Sequence, residues 1–243
     1  MHVTPGEDVS TEELLFQYGS LEIDPDAEVL MINCPLPEVN DWDAKLKARF
    51  VLLQHRGLSP QIFLSRKHLQ SIKHTLGTSG KFKARRKACG GRAEALKMVM
   101  PPNVFETLEV FVLDQPDIEA ALQYSIKGEY DSPNIENSEI ASSGLRMAVL
   151  TTVTRLVEVK LDELESYTKG TGPLESDVKL LEAIEKEQQS ITAMPHSGPT
   201  GNQKAALYHR MEQKRLARDY LKFFTNELQR EMKYLHELKT QQE

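Results

Sequence analysis

LRMAVLTTVTRLVEVKLDEL, the stretch from Leu145 to Leu164, decides the fold class of this chain. Its apolar residues recur every four residues and finally after three, which is the spacing of one face of an α-helix. These residues are Leu145, Val149, Val153, Val157, Leu161 and Leu164. The charged side chains of Arg155, Glu158 and Lys160 fall mostly on other faces. The stretch therefore predicts a long amphipathic helix with one buried side.

Two more helices are predicted after this one. Gly170-Thr-Gly-Pro173 stops the long helix, and Ser176-Asp177 begins a shorter helix that carries Leu180, Leu181 and Ile184. A turn-rich linker at residues 190–202 precedes the last helix, whose apolar residues are Leu207, Met211, Leu221, Phe224, Leu228, Met232 and Leu235. Long helices joined by loops of this length favour a helical bundle over a parallel-sheet protein.

The first forty residues have a different character. Short apolar runs alternate with Pro and Gly, which suits strands and turns, and the best strand candidate is Val29 to Ile32. The helical half begins near Asp41, where helical spacing starts with Trp42, Leu46, Phe50 and Leu53. We therefore predict a mainly α, multi-helix, bundle-like fold preceded by a short α/β segment.

Between the helical start near Asp41 and the long helix at Leu145, we expect one short helix and two connecting loops. Asn103 is predicted to cap a helix whose buried face is Val104, Leu108, Phe111 and Val112. Residues 127–144 are predicted to be a linker. Residues 74–97 are predicted to be a basic loop, with cations at Lys81, Lys83, Arg85, Arg86 and Lys87. A contact with acidic protein, nucleic acid or an import receptor fits this charge, but a solvated loop is favoured because aromatic residues are nearly absent.

The composition argues against several classes of protein. The 30 Lys and Arg against 36 Asp and Glu give a net charge of −6, so no global charge favours nucleic acid or an anionic membrane. Cys34 and Cys89 are too few for a disulfide framework or a cysteine-rich zinc site, and they suggest a reducing compartment. Residues 1–13 resemble neither a signal peptide nor a transit peptide. No apolar run approaches a membrane span.

The usual motifs of catalysis are missing from the sequence. There is no Gly-rich phosphate loop, no pair of histidines at helical spacing and no nucleophilic-serine elbow. His68 and His74 are poorly spaced for one helical face, so we expect no metal site. The acidic residues Glu182, Glu185 and Glu187 lie in a charge-rich helix, which is typical of a solvated face.

The motif Ser10-Thr-Glu-Glu-Leu-Leu-Phe-Gln-Tyr-Gly19 resembles the end of the SET core in the Rubisco large-subunit lysine methyltransferase family. In that family Ser-Asn-x-Glu-Leu leads to Tyr-Gly-Phe; here Thr11 replaces the Asn and Ser20 replaces the Phe. The remainder is similar to that family's substrate-binding domain, with segments in the expected order at Pro102–Leu113, Leu145–Leu164, Asp177–Leu181 and Tyr208–Arg215. The resemblance implies a SET-core remnant at residues 1–40 and a helical substrate-binding domain at residues 41–243.

The resemblance also implies an S-adenosylmethionine-dependent protein-lysine N-methyltransferase, but the family's cofactor segments precede anything in this sequence. Gly6-Glu7-Asp8-Val9 resembles the motif that leads into the catalytic-tyrosine strand, yet Ser10 follows where that strand should stand. We therefore expect no catalytic residue and no cofactor bound by this chain. Tyr18 matches a family aromatic that lines the lysine channel, where a ring face attracts an ammonium group. A core tyrosine fits that position equally well.

Three functional hypotheses follow. The first is a recognition module for a protein substrate bearing a target lysine, and the second is a partial sequence of an active methyltransferase. The third is a helical scaffold whose last helix self-associates as a coiled coil. For the first, cations that offer complementarity to an acidic partner are Arg155, Lys160, Arg210, Lys214, Arg215 and Arg218. We expect neither nucleic acid nor membrane as a partner; the oligomeric state stays open, and the family suggests a chloroplast.

Overall fold

The computed structural model describes residues 28–36, 41–77, 100–101, 103–126, 139–190 and 201–241. These residues are 77% helical, with seven helices and one antiparallel two-stranded sheet, which confirms the mainly α class. The order of elements is β1 (Val29–Asn33), α1 (Ala44–His55), β2 (Gln61–Ser65), α2 (Arg66–Gly77), α3 (Val104–Val112), α4 (Gln115–Ile126), α5 (Glu139–Glu165), α6 (Leu174–Ser190) and α7 (Gly201–Thr240).

The chain divides into two compact units, and the division passes through β1, β2, α5 and α7. Among the described residues, the first unit contains 28–30, 64–70, 157–190 and 201–220. The second unit contains 31–36, 41–63, 71–77, 100–101, 103–126, 139–156 and 221–241. The boundary expected near residue 40, between the SET-core remnant and the helical domain that the resemblance implies, stays a prediction.

The sheet pairs β1 with β2. Arg66 N donates to Glu28 O at 2.9 Å, and Cys34 N donates to Pro60 O at 2.8 Å, so Met31 lies opposite Phe63. One face of the sheet is buried through Leu30, Ile32, Ile62 and Leu64, while the other exposes Met31 and Phe63. The strand predicted at Val29 to Ile32 is thereby confirmed, and it extends to Asn33. Strand β2 is not predicted from the sequence, because its five residues contain only three apolar ones.

The second unit has a core in which α1 packs on α3 and α4. Its fully buried members are Leu52, Leu53, Val110, Leu113, Ile118 and Ala121. The Asp43 carboxylate caps α1 by accepting from Leu46 N at 2.7 Å. Arg49 donates to the carbonyls of Val110 and Leu113 at 3.2 and 2.9 Å, which satisfies orphan acceptors at the end of α3. The helix predicted from Asp41 onward is confirmed.

Predictions about helix starts fail for the cap of α3 and for the first residue of α5. Asn103 has φ 64° and makes no side-chain cap, so the predicted cap is wrong; Asn adopts this left-handed conformation more readily than most residues. Helix α5 begins at Glu139, so residues 139–144 of the predicted linker are helical. The extension is anchored by Ser143 and Arg146, which both donate to the buried carboxylate of Glu231, at 2.7 and 2.8 Å.

Other predictions have mixed outcomes. Val149, Val153 and Val157 are buried as expected, and so are Leu207, Met211 and Phe224, whereas Leu180 and Met232 are exposed. Residues 74–77 end α2 rather than begin a loop. The rest of the basic interval, 78–97, lies outside the described residues, as do Tyr18, most of the proposed SET remnant and most of the linker at 190–202.

Candidate recognition surface

Lys214 on α7 is a buried charge at the centre of the first unit's polar contacts, with an exposed side-chain fraction of 0%. Its Nζ donates to Asp177 Oδ2 at 2.6 Å, to Thr171 Oγ1 at 2.9 Å and to Gly172 O at 2.5 Å. The three ammonium hydrogens therefore have three acceptors. The other carboxylate oxygen of Asp177 accepts from Arg210 at 2.5 Å. Lys214 is thus a structural link between α7, α6 and the preceding turn, rather than a surface contact for a partner.

The turn that Lys214 holds runs from Ser166 to Pro173 and closes the carboxyl end of α5. Thr171 N donates to Leu164 O at 3.2 Å, and Gly170 N donates to Ser166 O at 2.9 Å. A Cβ on Gly170 would lie 2.3 Å from the carbonyl oxygens of Glu163 and Leu164, so only glycine fits there. Close contacts of this kind fix the turn's conformation.

Tyr167 is presented on the outside of this turn, with 78% of the residue's surface exposed. Its ring lies against the Cα of Gly172, where φ is +82° and a Cβ would lie 2.7 Å from the ring. Ser166 and Thr168 on either side hydrogen-bond to each other through their hydroxyls at 2.9 Å. The exposed aromatic ring of Tyr167 is therefore carried by a turn whose backbone conformation is fixed.

Arg218 on α7 bridges α5 and α6. Its Nε donates to Glu165 Oε1 at 2.7 Å, and its terminal nitrogens form a bidentate contact with Glu175 at 2.6 and 3.0 Å. The hydrogen bond from Arg218 lowers the pKa of the Glu175 carboxyl to about 2. Arg215 pairs with Glu212, and Lys160 lies 3.8 Å from Glu163.

These contacts change how the six predicted partner-binding cations are interpreted. Five belong to the first unit and each has an anionic neighbour within the chain, as described above for Lys160, Arg210, Lys214, Arg215 and Arg218. Arg155 belongs to the second unit and also interacts within the chain. The structure does not gather them into one cationic surface, and the ion pairs neutralise much of their charge.

Further polar side chains of α7 contact the sheet end in the first unit. Glu28 is buried; its carboxylate accepts from Gln213 and lies 3.0 Å from His209 Nδ1. Gln213 also donates to Val29 O at 2.9 Å, and the Tyr220 hydroxyl donates to Ser65 O at 2.8 Å. Burial raises the pKa of Tyr220 well above its usual range. These contacts satisfy backbone acceptors on both strands.

The carboxyl end of α5 also borders a surface groove, the α5 groove, of about 430 Å³. Its lining residues are Val159, Asp162, Glu163, Glu165, Ser166, Thr168 and Lys169. Of the three lining carboxylates, Glu163 lies 3.8 Å from Lys160 and Glu165 is paired with Arg218, which leaves Asp162; the carboxyl end of a 27-residue helix adds a partial negative charge. Asp162 is therefore the lining group that best suits a cation, which is the opposite of the acidic partner considered from the sequence.

The sequence predicts the turn at Gly170–Pro173 but no function for Asp162 or Tyr167. The tertiary structure places Asp162 in the lining of the groove, whereas Tyr167 lies between the lining residues Ser166 and Thr168 in sequence without lining it. Within the described residues, no group of three His, Cys, Asp or Glu is positioned to hold a metal ion, and no helix is both long and apolar enough to cross a membrane. Comparison with protein-family models, curated proteins and solved structures finds no match.

Proposed function

We propose that this chain is the protein-substrate recognition module of a SET-type protein-lysine N-methyltransferase, with the catalytic core largely absent from the chain. The support is the resemblance of the Ser10–Gly19 motif and of the ordered helical segments. The proposal includes a bundle-like packing of the long helices and a SET remnant in residues 1–40. In the intact family, S-adenosylmethionine supplies the methyl group; this chain's own part is to hold the protein that carries the target lysine.

The single observation that carries the proposal is the α5 groove, which is lined by Asp162 and by Ser166 and Thr168, the neighbours in sequence of the exposed Tyr167. Carboxylates attract the ammonium of a lysine, and an aromatic face adds a cation–π contribution. Asp162 is exposed at the groove, whereas Glu165 is already paired with Arg218. We therefore assign Asp162 and Tyr167 the main contacts with a lysine-bearing segment of the partner.

The buried contacts that hold the turn support recognition rather than chemistry. Lys214 and Asp177 are buried ionisable groups that contact each other at the turn. Asp177 also accepts a hydrogen bond from Arg210, so both groups already have hydrogen-bond partners within the chain. Such a network fixes a surface without activating a nucleophile or a base. The scaffold hypothesis receives less support, because Leu207, Met211 and Phe224 on α7 are buried within this chain.

The test is calorimetric titration of the full chain with a lysine-rich peptide and with a glutamate-rich peptide of equal length. We expect saturable binding of the lysine-rich peptide only, weakened at higher salt. Asp162→Asn and Tyr167→Ala are each expected to raise Kd about fivefold, which corresponds to roughly 1 kcal/mol. Glu182→Gln, the same charge change at an exposed site on α6, is the matched control and should leave Kd unchanged.

Two outcomes would contradict the proposal. Equal affinity for both peptides, or equal effects of Asp162→Asn and Glu182→Gln, would remove the groove as the recognition surface. A parallel titration with S-adenosylmethionine, followed by a methyl-transfer assay on a protein extract, tests the alternative. Saturable cofactor binding with methylated product would make this chain part of an active methyltransferase instead.

A further inference from the structure

A buried carboxylate lies where the chain enters β1. The Glu28 side chain has an exposed fraction of 2%, and its Oε1 lies 3.0 Å from Nδ1 of His209 on α7. The same oxygen accepts a hydrogen bond from the Gln213 amide, about one helical turn further along α7. All three residues belong to the first unit. Burying a carboxylate costs free energy unless donors or a cation lie beside it, and a histidine can act as either.

Backbone contacts join the same residue to the neighbouring elements. Glu28 O accepts from Arg66 N, at the start of α2, at 2.9 Å. Gln213 Nε2 also donates to Val29 O at 2.9 Å. The side chain of Glu28 is thus held by α7 and its main chain by α2. A change in the charge of His209 therefore acts at a point where β1, α2 and α7 meet within the first unit.

The other charged groups that α2, α6 and α7 bring to this region interact mainly with one another. The described contacts are the ion pairs Arg66–Glu212, Arg215–Glu212, Arg210–Asp177 and Lys204–Glu185 and the hydrogen bond from Tyr208 to Glu185, while Lys67 and His68 follow Arg66 on α2. Histidine ordinarily titrates between about pH 5 and 8, and an amide does not titrate there. Of the two side chains described in contact with the Glu28 carboxylate, His209 is therefore the one that changes its charge in that range.

We propose that Glu28 and His209 form a pH-dependent latch between the start of β1 and α7. With His209 protonated, an imidazolium meets a buried carboxylate, and charge-assisted contacts of this kind are about twice as strong as neutral ones. With His209 neutral, the carboxylate keeps the Gln213 amide and an uncharged ring. The latch is therefore closed at mildly acidic pH and loosens as the pH rises through the range in which histidine titrates. This inference goes beyond the α5 groove and does not depend on it.

Hydrogen exchange in the unmodified chain tests the latch at its own location. The Arg66 amide donates to Glu28 O, so its protection factor, corrected for the intrinsic effect of pH, should fall about fivefold between about pH 5.5 and pH 8. The Leu58 amide, which donates to Leu53 O at 2.8 Å in the second unit, is the control and should change less than about twofold. Equal changes at the two amides would overturn the proposal.

Two variants separate the charge of the contact from its shape. Glu28→Gln keeps the side-chain size and removes the charge, and His209→Gln keeps a hydrogen-bonding group that does not titrate. Lowering the pH from about 8 to about 5.5 should raise Tm by about 2 to 4 °C more in the parent chain than in either variant. His236→Gln is the matched control, because it removes an exposed histidine from the same helix and should keep the parent's pH dependence.

A double-mutant cycle shows whether the two residues act on each other. At about pH 5.5 the decrease in Tm of the double variant should be smaller than the sum of the single decreases, and at about pH 8 this difference should fall by about half or more. A difference of equal size at both pH values would indicate a neutral hydrogen bond and would overturn the latch. A pH dependence that His236→Gln removes and His209→Gln keeps would overturn it as well.

Discussion

Replacing Lys214 with methionine tests whether the buried ion pair holds the turn. The substitution removes the ammonium from three acceptors and leaves the buried Asp177 carboxylate with Arg210 as its remaining cationic partner. Removing one member of a buried pair costs about 3 to 5 kcal/mol. Because Arg210 stays in place, the lower value applies, and we expect a loss of about 3 kcal/mol in the free energy of unfolding.

The measurement is chemical and thermal unfolding followed by circular dichroism. For a chain of this length, about 3 kcal/mol corresponds to a decrease in Tm of roughly 6 to 12 °C. Arg210→Met is the matched control, since it removes the other cation from the same carboxylate. The Arg210 side chain is 31% exposed, so solvent screening reduces the expected cost to about 1 kcal/mol.

A double variant identifies the cause. If the main cost of Lys214→Met is the uncompensated charge on Asp177, adding Asp177→Asn should recover about 1 kcal/mol or more relative to the sum of the single effects. Strict additivity, or a loss below about 1 kcal/mol for Lys214→Met alone, would refute the reasoning that this pair fixes the turn.

Three more outcomes follow from the same structure. Gly170→Ala should lower Tm, because its Cβ would lie 2.3 Å from backbone oxygens. Gly144→Ala, where no atom lies within 4 Å of the added Cβ, should raise the free energy of unfolding by about 0.5 to 1 kcal/mol. Thermal unfolding of the two variants measures both effects. The lowered pKa of Glu175 stabilises the folded chain above pH 4.5, the ordinary pKa of this carboxyl, and this stabilisation is lost as the pH falls toward about 2. The unfolding midpoint should therefore decline across that pH range in the parent chain, and less steeply in Arg218→Met. Burial raises the pKa of the Cys34 thiol to about 11, which lowers its thiolate fraction about a hundredfold at pH 8; mass spectrometry after iodoacetamide treatment should find Cys34 modified only in denaturant.

The contacts of α7 explain why its cations were misleading as a guide to partners. Arg218 and Lys214 point toward carboxylates on α5 and α6, and their charges contribute to holding the first unit together. The proposed recognition surface uses side chains outside those pairs, chiefly Asp162 and Tyr167. That proposal calls for a basic partner segment in place of the acidic one considered from the sequence.

Local patterns were sufficient for the long helix α5. The four-residue spacing from Leu145 to Leu164 predicted α5, and the Gly170–Pro173 turn predicted its end, because both signals depend on neighbours within a few residues. The start of α5 was wrong by six residues. That start is supported by Glu231, which lies 88 residues from Ser143, and no local pattern reports so distant a partner.

By itself, the sequence determined the fold class, the strand at 29–33, the approximate course of the long helices and the absence of common catalytic motifs. These features follow from composition and from the spacing of apolar residues that are close together in the sequence. The tertiary structure alone decided that Lys214 is buried, that β2 pairs with β1 and that Asp162 lines a groove. The burial of a charge depends on partners that folding brings to it, and Lys214 meets Asp177 from 37 residues away.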